Sequence, residues 1–312
     1  MRYYENKLKF LENLFDKKIE LSKNSIKIEN QSFKIVNDVI ILDEVRAGNK
    51  TVTTFGTEWA EFSKITHEHF DEFKFYFDLV RINDLKDKIV CDFGCGIGRW
   101  SKLLIDRVGI KYLILCDYSN SINEARKQFL EYDNVIYLQC DIENINFKKN
   151  IIDFFYSLGV LHHLPTKYSR ANEKIAHCSK EGIIYLYYNL DKKPSYYQYI
   201  FKLVDIIRKY LSKIKSESKR KALAYLLTIL LYYPMLILNK ILSKLKFNTM
   251  NLPLNYYKNF SFFRIRQDVY NRFFTDIENR YTKEEIKKYY KQYFKNIKFS
   301  NKAPYWHFHL AK

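Results

Sequence analysis

One stretch, Ile89–Trp100 (IVCDFGCGIGRW), limits what this chain can fold into more than any other. An apolar run ends at Asp92, glycines follow at every second position (Gly94, Gly96 and Gly98), and a helical pattern begins at once. Glycine reaches backbone angles closed to other residues and lets another group approach the chain closely. A helix that starts directly behind such a loop aims unpaired N–H groups at whatever lies in front of it. The stretch therefore predicts a strand, a tight loop and a helix, with a binding crevice at the carboxyl end of the strand.

The residues around it repeat the same alternation. Ile89–Asp92, Tyr112–Cys116, Val135–Gln139, Ile151–Leu158 and Ile183–Tyr188 read as strands. Arg99–Val108, Ser121–Tyr132 and Thr166–Ser179 read as helices between them, the second opened by a capping box of Ser121 and Glu124. Thr282–Phe294 reads as a later helix with a Thr282–Glu285 box, followed by closing strands near Asn296–Ser300 and Tyr305–Leu310. Repeated strand–helix units predict parallel pairing with right-handed crossovers. The expected fold class is α/β: a Rossmann-like, mostly parallel seven-stranded sheet with helices on both faces and a helical insertion after the fifth strand. The expected division is a small N-terminal element over 1–56, a core over 57–190, a basic apolar insertion over 191–260 and a closing segment over 261–312. Within 1–56, Ile26–Ile28, Phe33–Val36 and Val39–Leu42 read as short strands, and Thr57–Val80 reads as a helix.

Two more acids fall at strand ends. Asp117 ends the second strand, 19 residues past Gly98, where it suits the hydroxyls of a ribose. Asp141 follows the third strand, where it suits an exocyclic amine of adenine. The glycine spacing is G-x-G-x-G with Arg99 after it, whereas dinucleotide folds use G-x-G-x-x-G/A, which disfavours a nicotinamide cofactor. The motif D-x-G-C-G-x-G resembles the first motif of the class I S-adenosylmethionine-dependent methyltransferases. The resemblance covers residues 88–190 and, loosely, the closing strands. It implies S-adenosyl-L-methionine as cofactor, held by Asp92, Gly94, Cys95, Gly96, Gly98, Asp117, Asp141, Ile142 and Ser157. It implies methyl transfer as the reaction. The segment SLGVLHHLP, Ser157–Pro165, occurs in many members, with a histidine where His162 and His163 stand; these two are the candidate catalytic residues, either orienting substrate or acting as base, or else holding the loop. His307 and Tyr185 are further candidates for a base, while His67 and His69 read as surface histidines. FGTEWAEF, Phe55–Phe62, resembles a segment that precedes the catalytic domain in a subset of the family. That segment often follows a zinc-binding element, and this chain has no cysteine before Cys91, so no metal site is expected.

The net charge is +18, supplied mostly by lysine. It favours anionic partners, but arginine, the main base reader, is the minority, so a nucleic-acid substrate is the lesser expectation. The five cysteines, Cys91, Cys95, Cys116, Cys140 and Cys178, form no C-x-x-C pair and read as buried thiols. The N-terminus is charged without an apolar signal core, which points to the cytoplasm. Half of the net charge lies in one segment: Lys202–Lys246 holds 11 basic and 2 acidic residues. Within it Ala222–Leu238 has no charge, and as a helix it would span about 25 Å, short of the ~30 Å bilayer core, with a kink expected at Pro234. Upstream, Tyr196, Ile200, Leu203, Ile207, Tyr210 and Ile214 form a helical stripe. An apolar stripe framed by lysines suits a packed cap or peripheral contact with an anionic membrane through residues 196–246. The aromatic group Tyr256, Tyr257, Phe260, Phe262 and Phe263 would then line a pocket for a small-molecule, glycan or lipid-linked acceptor. The alternatives are a methyltransferase acting on nucleic acid and a non-catalytic, membrane-associated cofactor-binding module.

Overall fold

A computed structural model describes residues 5, 7–45, 66–190, 193–249, 252–302 and 305–312. The segment Phe55–Phe62 with Trp59 lies outside the described residues. The chain divides into two compact units: Met1–Tyr188 with Asn279–Lys312, and Asn189–Glu278.

The first unit is built on one mixed sheet. Its strands are β1 (Ile19–Ser22), β2 (Ser25–Ile28), β3 (Gln31–Val36), β4 (Val39–Ile41), β5 (Ile89–Phe93), β6 (Tyr112–Asp117), β7 (Val135–Gln139), β8 (Ile152–Leu158), β9 (Ser179–Leu186), β10 (Asn296–Phe299) and β11 (Trp306–Ala311). Their order is β1-β2-β3-β4-β7-β6-β5-β8-β9-β11-β10. From β7 to β9 the neighbours pair parallel, as the alternation of strands and helices dictates. β11 inserts antiparallel between β9 and β10. The five central strands are almost wholly apolar because both faces are covered. Val90, Leu113, Val135, Phe154 and Ile183 stand on one face, and Cys91, Ile114, Ile136, Phe155 and Ile184 on the other, all fully or nearly fully buried.

The expectation of seven strands needs correction. Among the described residues the sheet has eleven, because the N-terminal strands form an antiparallel meander whose last member, β4, pairs parallel with β7. Residues without long alternation carry no register signal, so the sequence shows short strands and not where they dock. The meander is anchored by side chains. Helix α1 (Leu8–Phe15) stacks Phe10 on Tyr112 at 3.9 Å between ring centroids. Lys7 Nζ donates to the Val135 carbonyl at 2.8 Å, and burial pushes its pKa down to about 7.

Helix α2 (His67–Tyr76) precedes the sheet core, and α3 (Arg99–Ile105), α4 (Ser121–Gln128) and α5 (Arg170–Cys178) connect its strands. His69 is not a surface residue: it is buried, and its Nδ1 accepts the Thr66 N–H at 2.8 Å, capping α2. The box expected at Ser121 is absent, because the Ser121 hydroxyl turns toward Ser119 and Asp117. The Thr282–Glu285 box does form, at the start of α10 (Lys283–Tyr290).

The second unit comprises α6 (Ser195–Leu211), α7 (Glu217–Leu227), α8 (Tyr233–Lys244) and α9 (Phe262–Phe274). Its bounds place α9 in the insertion, not in the closing segment. Between α7 and α8 the chain stays helical through a π-turn, Thr228–Tyr232, which accommodates the N–H that Pro234 lacks. The insertion leaves and rejoins the first unit at neighbouring points, where Tyr188 bridges Tyr281.

Replacing Ile40, fully buried in β4, with alanine is expected to lower the stability of the whole sheet unit by about 2–4 kcal/mol. Denaturant unfolding followed by circular dichroism measures it. An unchanged main transition would show that the meander folds apart from the core.

Candidate functional site

The glycine loop sits where β5 ends. Gly94, Gly96 and Gly98 all adopt the left-handed region, with φ of 82°, 55° and 74°. Gly94 has a second constraint: a Cβ there would lie 2.4 Å from a methyl of Val160. The loop is held from β6. The Cys116 carbonyl accepts from the Gly94 and Cys95 N–H groups at 2.7 and 2.9 Å, and Asp117 Oδ2 accepts from the Gly96 N–H at 2.7 Å.

Asp117 is the hub of this arrangement. Its Oδ1 accepts from the Ser119 N–H and hydroxyl at 2.8 and 2.6 Å, and from Ser121 at 3.4 Å. Its Oδ2 takes only the Gly96 N–H among the described residues, so a lone pair on that oxygen is unused. Burial pushes its pKa up, while Ser119 and Gly96 pull the other way.

Asp92 lies beneath the loop, 2% exposed, and accepts the Ser101 hydroxyl at 2.6 Å. Ser101 in turn meets the Tyr156 hydroxyl at 2.5 Å, tying the first turn of α3 to β5 and β8. Burial raises the Asp92 pKa to about 8, opposed by Ser101 and assisted by the nearby charge of Asp117. The side chain is therefore protonated at neutral pH.

The other expected residues fall around the same edge. Cys95 is buried in the loop, and Ser157 donates to the Phe93 carbonyl at 3.0 Å, clipping the end of β8 to that of β5. Asp141 follows β7, linked to the hub by Cys140 N–H to Asp117 carbonyl at 3.1 Å; its Oδ1 accepts the Glu143 N–H at 3.0 Å, and Ile142 beside it is buried. His162 and His163 follow Val160 in a short turn. His162 is fully buried, stacked on Tyr187 at 3.9 Å. Burial, then the charges of His163 and Arg280, hold its pKa well below the usual histidine value, so it is neutral. His307 is buried with Nδ1 3.6 Å from Asp78, and burial lowers its pKa to about 4. The five cysteines are all buried with free thiols.

Two features were not legible beforehand. Asp43, just past β4, accepts from the Asp141 N–H at 3.0 Å and from Asn144 at 3.1 Å, so the meander completes the edge beside Asp141. No sequence signal marks it, because it depends on β4 pairing with β7. The second is a chain of aromatic contacts: Tyr76 meets Trp100 and Tyr185 at 5.0 and 5.4 Å, and Tyr305 meets Tyr185 and Tyr187 at 5.0 and 5.4 Å. Of its members the sequence singles out Tyr185, as a candidate base.

The loop and Asp117 fit an adenosyl cofactor: a bend of three left-handed glycines at the carboxyl edge of the sheet, and a carboxylate oxygen with a lone pair left to accept a hydroxyl. Residues 90–182 match a family model described as a methyltransferase domain. No curated protein matches the chain. Solved structures match at low identity. A Listeria monocytogenes structure is 21% identical with TM-score 0.32, covering 42% of this chain and 55% of its own. An S-adenosylmethionine-dependent methyltransferase from Mesorhizobium loti is 17% identical with TM-score 0.35, covering 39% of this chain and 56% of its own. Magnesium protoporphyrin IX methyltransferase from Synechocystis PCC 6803, solved with bound SAH, is 13% identical with TM-score 0.45, covering 84% of this chain and 95% of its own. The chain thus spans little more than half the length of the first two. Residues 90–182 thus match a methyltransferase domain, and the cofactor indicated is S-adenosyl-L-methionine.

The Asp92 carboxyl gives a pH test. Between about pH 4 and 8 the folded acid keeps a proton that the unfolded chain has released, so this group's contribution to stability falls as pH rises through that window and levels off above it. Asp92→Asn cannot ionise and escapes the fall. Melting curves at pH 5 and pH 8 should show the variant gaining on the wild type by up to a few kcal/mol as pH rises. Parallel pH curves would contradict a protonated Asp92.

Proposed function

We propose that the chain transfers a methyl group to a small-molecule, glycan or lipid-linked acceptor at the cytoplasmic face of a membrane. The observation that carries the methyl-transfer part is the 2.7 Å contact from the Gly96 N–H to Asp117, which joins the glycine loop to a carboxylate oxygen with a lone pair left. When bound, S-adenosyl-L-methionine supplies a methyl group already activated by its sulfonium. The work left to the protein is positioning and exclusion of water.

In this reading Gly94, Cys95, Gly96 and Gly98 flank the amino-acid part of the cofactor. Asp117 Oδ2 accepts from a ribose hydroxyl, and Asp141 with Ile142 faces the adenine edge, backed by Asp43. Asp92 is a positioning residue that fixes the loop through Ser101. Ser157 holds the ends of β5 and β8 in line. His162 and His163 orient the acceptor. The neutral His162, stacked on Tyr187, adds no charge of its own beside the sulfonium. Tyr76, Trp100, Tyr185 and Tyr305 favour an acceptor with an apolar or aromatic portion.

Titration calorimetry tests the assignment. Asp117→Ala should weaken S-adenosyl-L-methionine binding about tenfold to a hundredfold, the worth of one or two hydrogen bonds to a charged group. NADH should show no binding. An Asp117→Ala variant that binds the methyl donor as well as the wild type would remove the assignment.

A further inference from the structure

Helix α6 is amphipathic the wrong way round for a water-soluble surface. Tyr196, Tyr199, Ile200, Leu203, Ile206, Ile207 and Tyr210 recur at spacings of three and one, which makes a single stripe, and every one of them is exposed. Arg208 is the helix residue that is buried instead. Its guanidinium donates to the carbonyls of Thr275 and Asp276 at 2.7 and 3.1 Å and pairs with Asp205. The fold of this unit satisfies the arginine inside and turns the apolar stripe outward.

The continuous helix Glu217–Lys244 repeats the arrangement. Its buried stripe is Arg220, Ala224, Thr228, Tyr232, Leu236 and Asn239, in which Arg220, Thr228 and Asn239 are polar. Its outward residues include Leu226, Leu230, Ile237, Leu238 and Ile241, with Leu230 71% exposed. Of the 20 large apolar side chains exposed among the described residues, 17 belong to Tyr196–Phe247.

By length and hydropathy alone, Glu217–Lys244 qualifies to cross a membrane. Its surroundings argue otherwise. The uncharged part, Ala222–Asn239, has 18 residues and spans about 27 Å, below the ~30 Å of a hydrocarbon core. It also packs along α9, where Phe262 meets Tyr225 and Tyr233, and α9 carries Arg264, Arg266, Asp268 and Arg272. A spanning helix would carry those charges into the hydrocarbon core, where each is costly. An in-plane helix keeps them on the water side.

We infer that residues 195–247 form an in-plane membrane anchor that sinks its apolar face into one leaflet of an anionic bilayer. The occupant is chosen by charge. Lys202, Lys209 and Lys213 accompany the first stripe, and Lys240, Lys244 and Lys246 accompany the end of the second, within a segment of net charge +9. A ring of lysines around an apolar face matches anionic headgroups over acyl chains, whereas a second copy of this chain would set lysines against lysines. This deepens the membrane part of the proposed function and stands apart from its catalytic part, since lipid binding requires no methyl transfer.

Flotation of the full-length chain with phosphatidylcholine vesicles, with and without phosphatidylglycerol, tests it. The wild type and Asp117→Ala should both float with the anionic vesicles, and moderate salt should weaken the association without abolishing it. Leu203→Glu/Ile207→Glu and Leu230→Glu/Ile237→Glu should each reduce binding at least tenfold, while keeping the wild-type circular dichroism spectrum and affinity for S-adenosyl-L-methionine. A tryptophan placed by Leu230→Trp should be quenched by brominated acyl chains. Failure of the wild type to float, binding that both double variants retain, or a stable dimer in buffer that the same substitutions dissolve would each overturn the inference. Resistance to an alkaline carbonate wash would overturn the in-plane orientation.

Discussion

The carboxylate of Asp117 holds the rest of the site in place. A glycine loop is valuable because it bends sharply, and for the same reason it is entropically costly to fix. Here the fixing comes from the neighbouring strand: the Cys116 carbonyl takes two loop amides and Asp117 takes a third, at 2.7 Å. Ser119 and Ser121 fill the other oxygen, so the carboxylate cannot rotate away. A second acid, Asp92, stands close by on β5. Burial keeps it protonated at neutral pH, and the loop is spared two like charges near one crevice.

That crevice depends on the strand order. Parallel neighbours bring the carboxyl ends of β5, β6, β7 and β8 to one edge, and every expected cofactor residue lies on or just past such an end. The meander adds more than covering for the exposed edge of β7. By pairing β4 with β7 in parallel it delivers Asp43 to the backbone of Asp141. The N-terminal strands are thereby structural neighbours of Asp141 and of the sheet edge on which it stands.

How much of this the sequence disclosed follows from range. The loop, its three positive-φ glycines and the acids at the ends of β5 and β6 are local features, and Ile89–Asp117 shows them directly. The Thr282–Glu285 cap was legible for the same reason, since both partners lie within one turn. Ser121 misled because its hydroxyl had a competing partner four residues back, on a different element. His69 misled because it and His67 flank the charged Glu68 and look solvated, while its burial comes from packing near Trp100. The eleventh-strand arrangement and Asp43 depend on pairing partners more than ninety residues apart, which no periodicity encodes.

The insertion shows the same limit in reverse. Its periodicity was legible, but an amphipathic stripe does not say which side faces in. A packed cap requires the apolar stripe inside and the lysines outside. The fold of this unit puts Arg208, Arg220, Thr228 and Asn239 inside and leaves the stripe of α6 exposed. Such inversion is unfavourable in water, because buried polar groups contribute little net stability while exposed apolar area forfeits what burial would supply. It becomes favourable where the surroundings of the unit are themselves apolar on one side. Ile265, Val269, Phe273 and Phe274 of α9 supply the apolar core of this unit, so the outward stripes of α6 and of Glu217–Lys244 are the area that the proposed bilayer would cover.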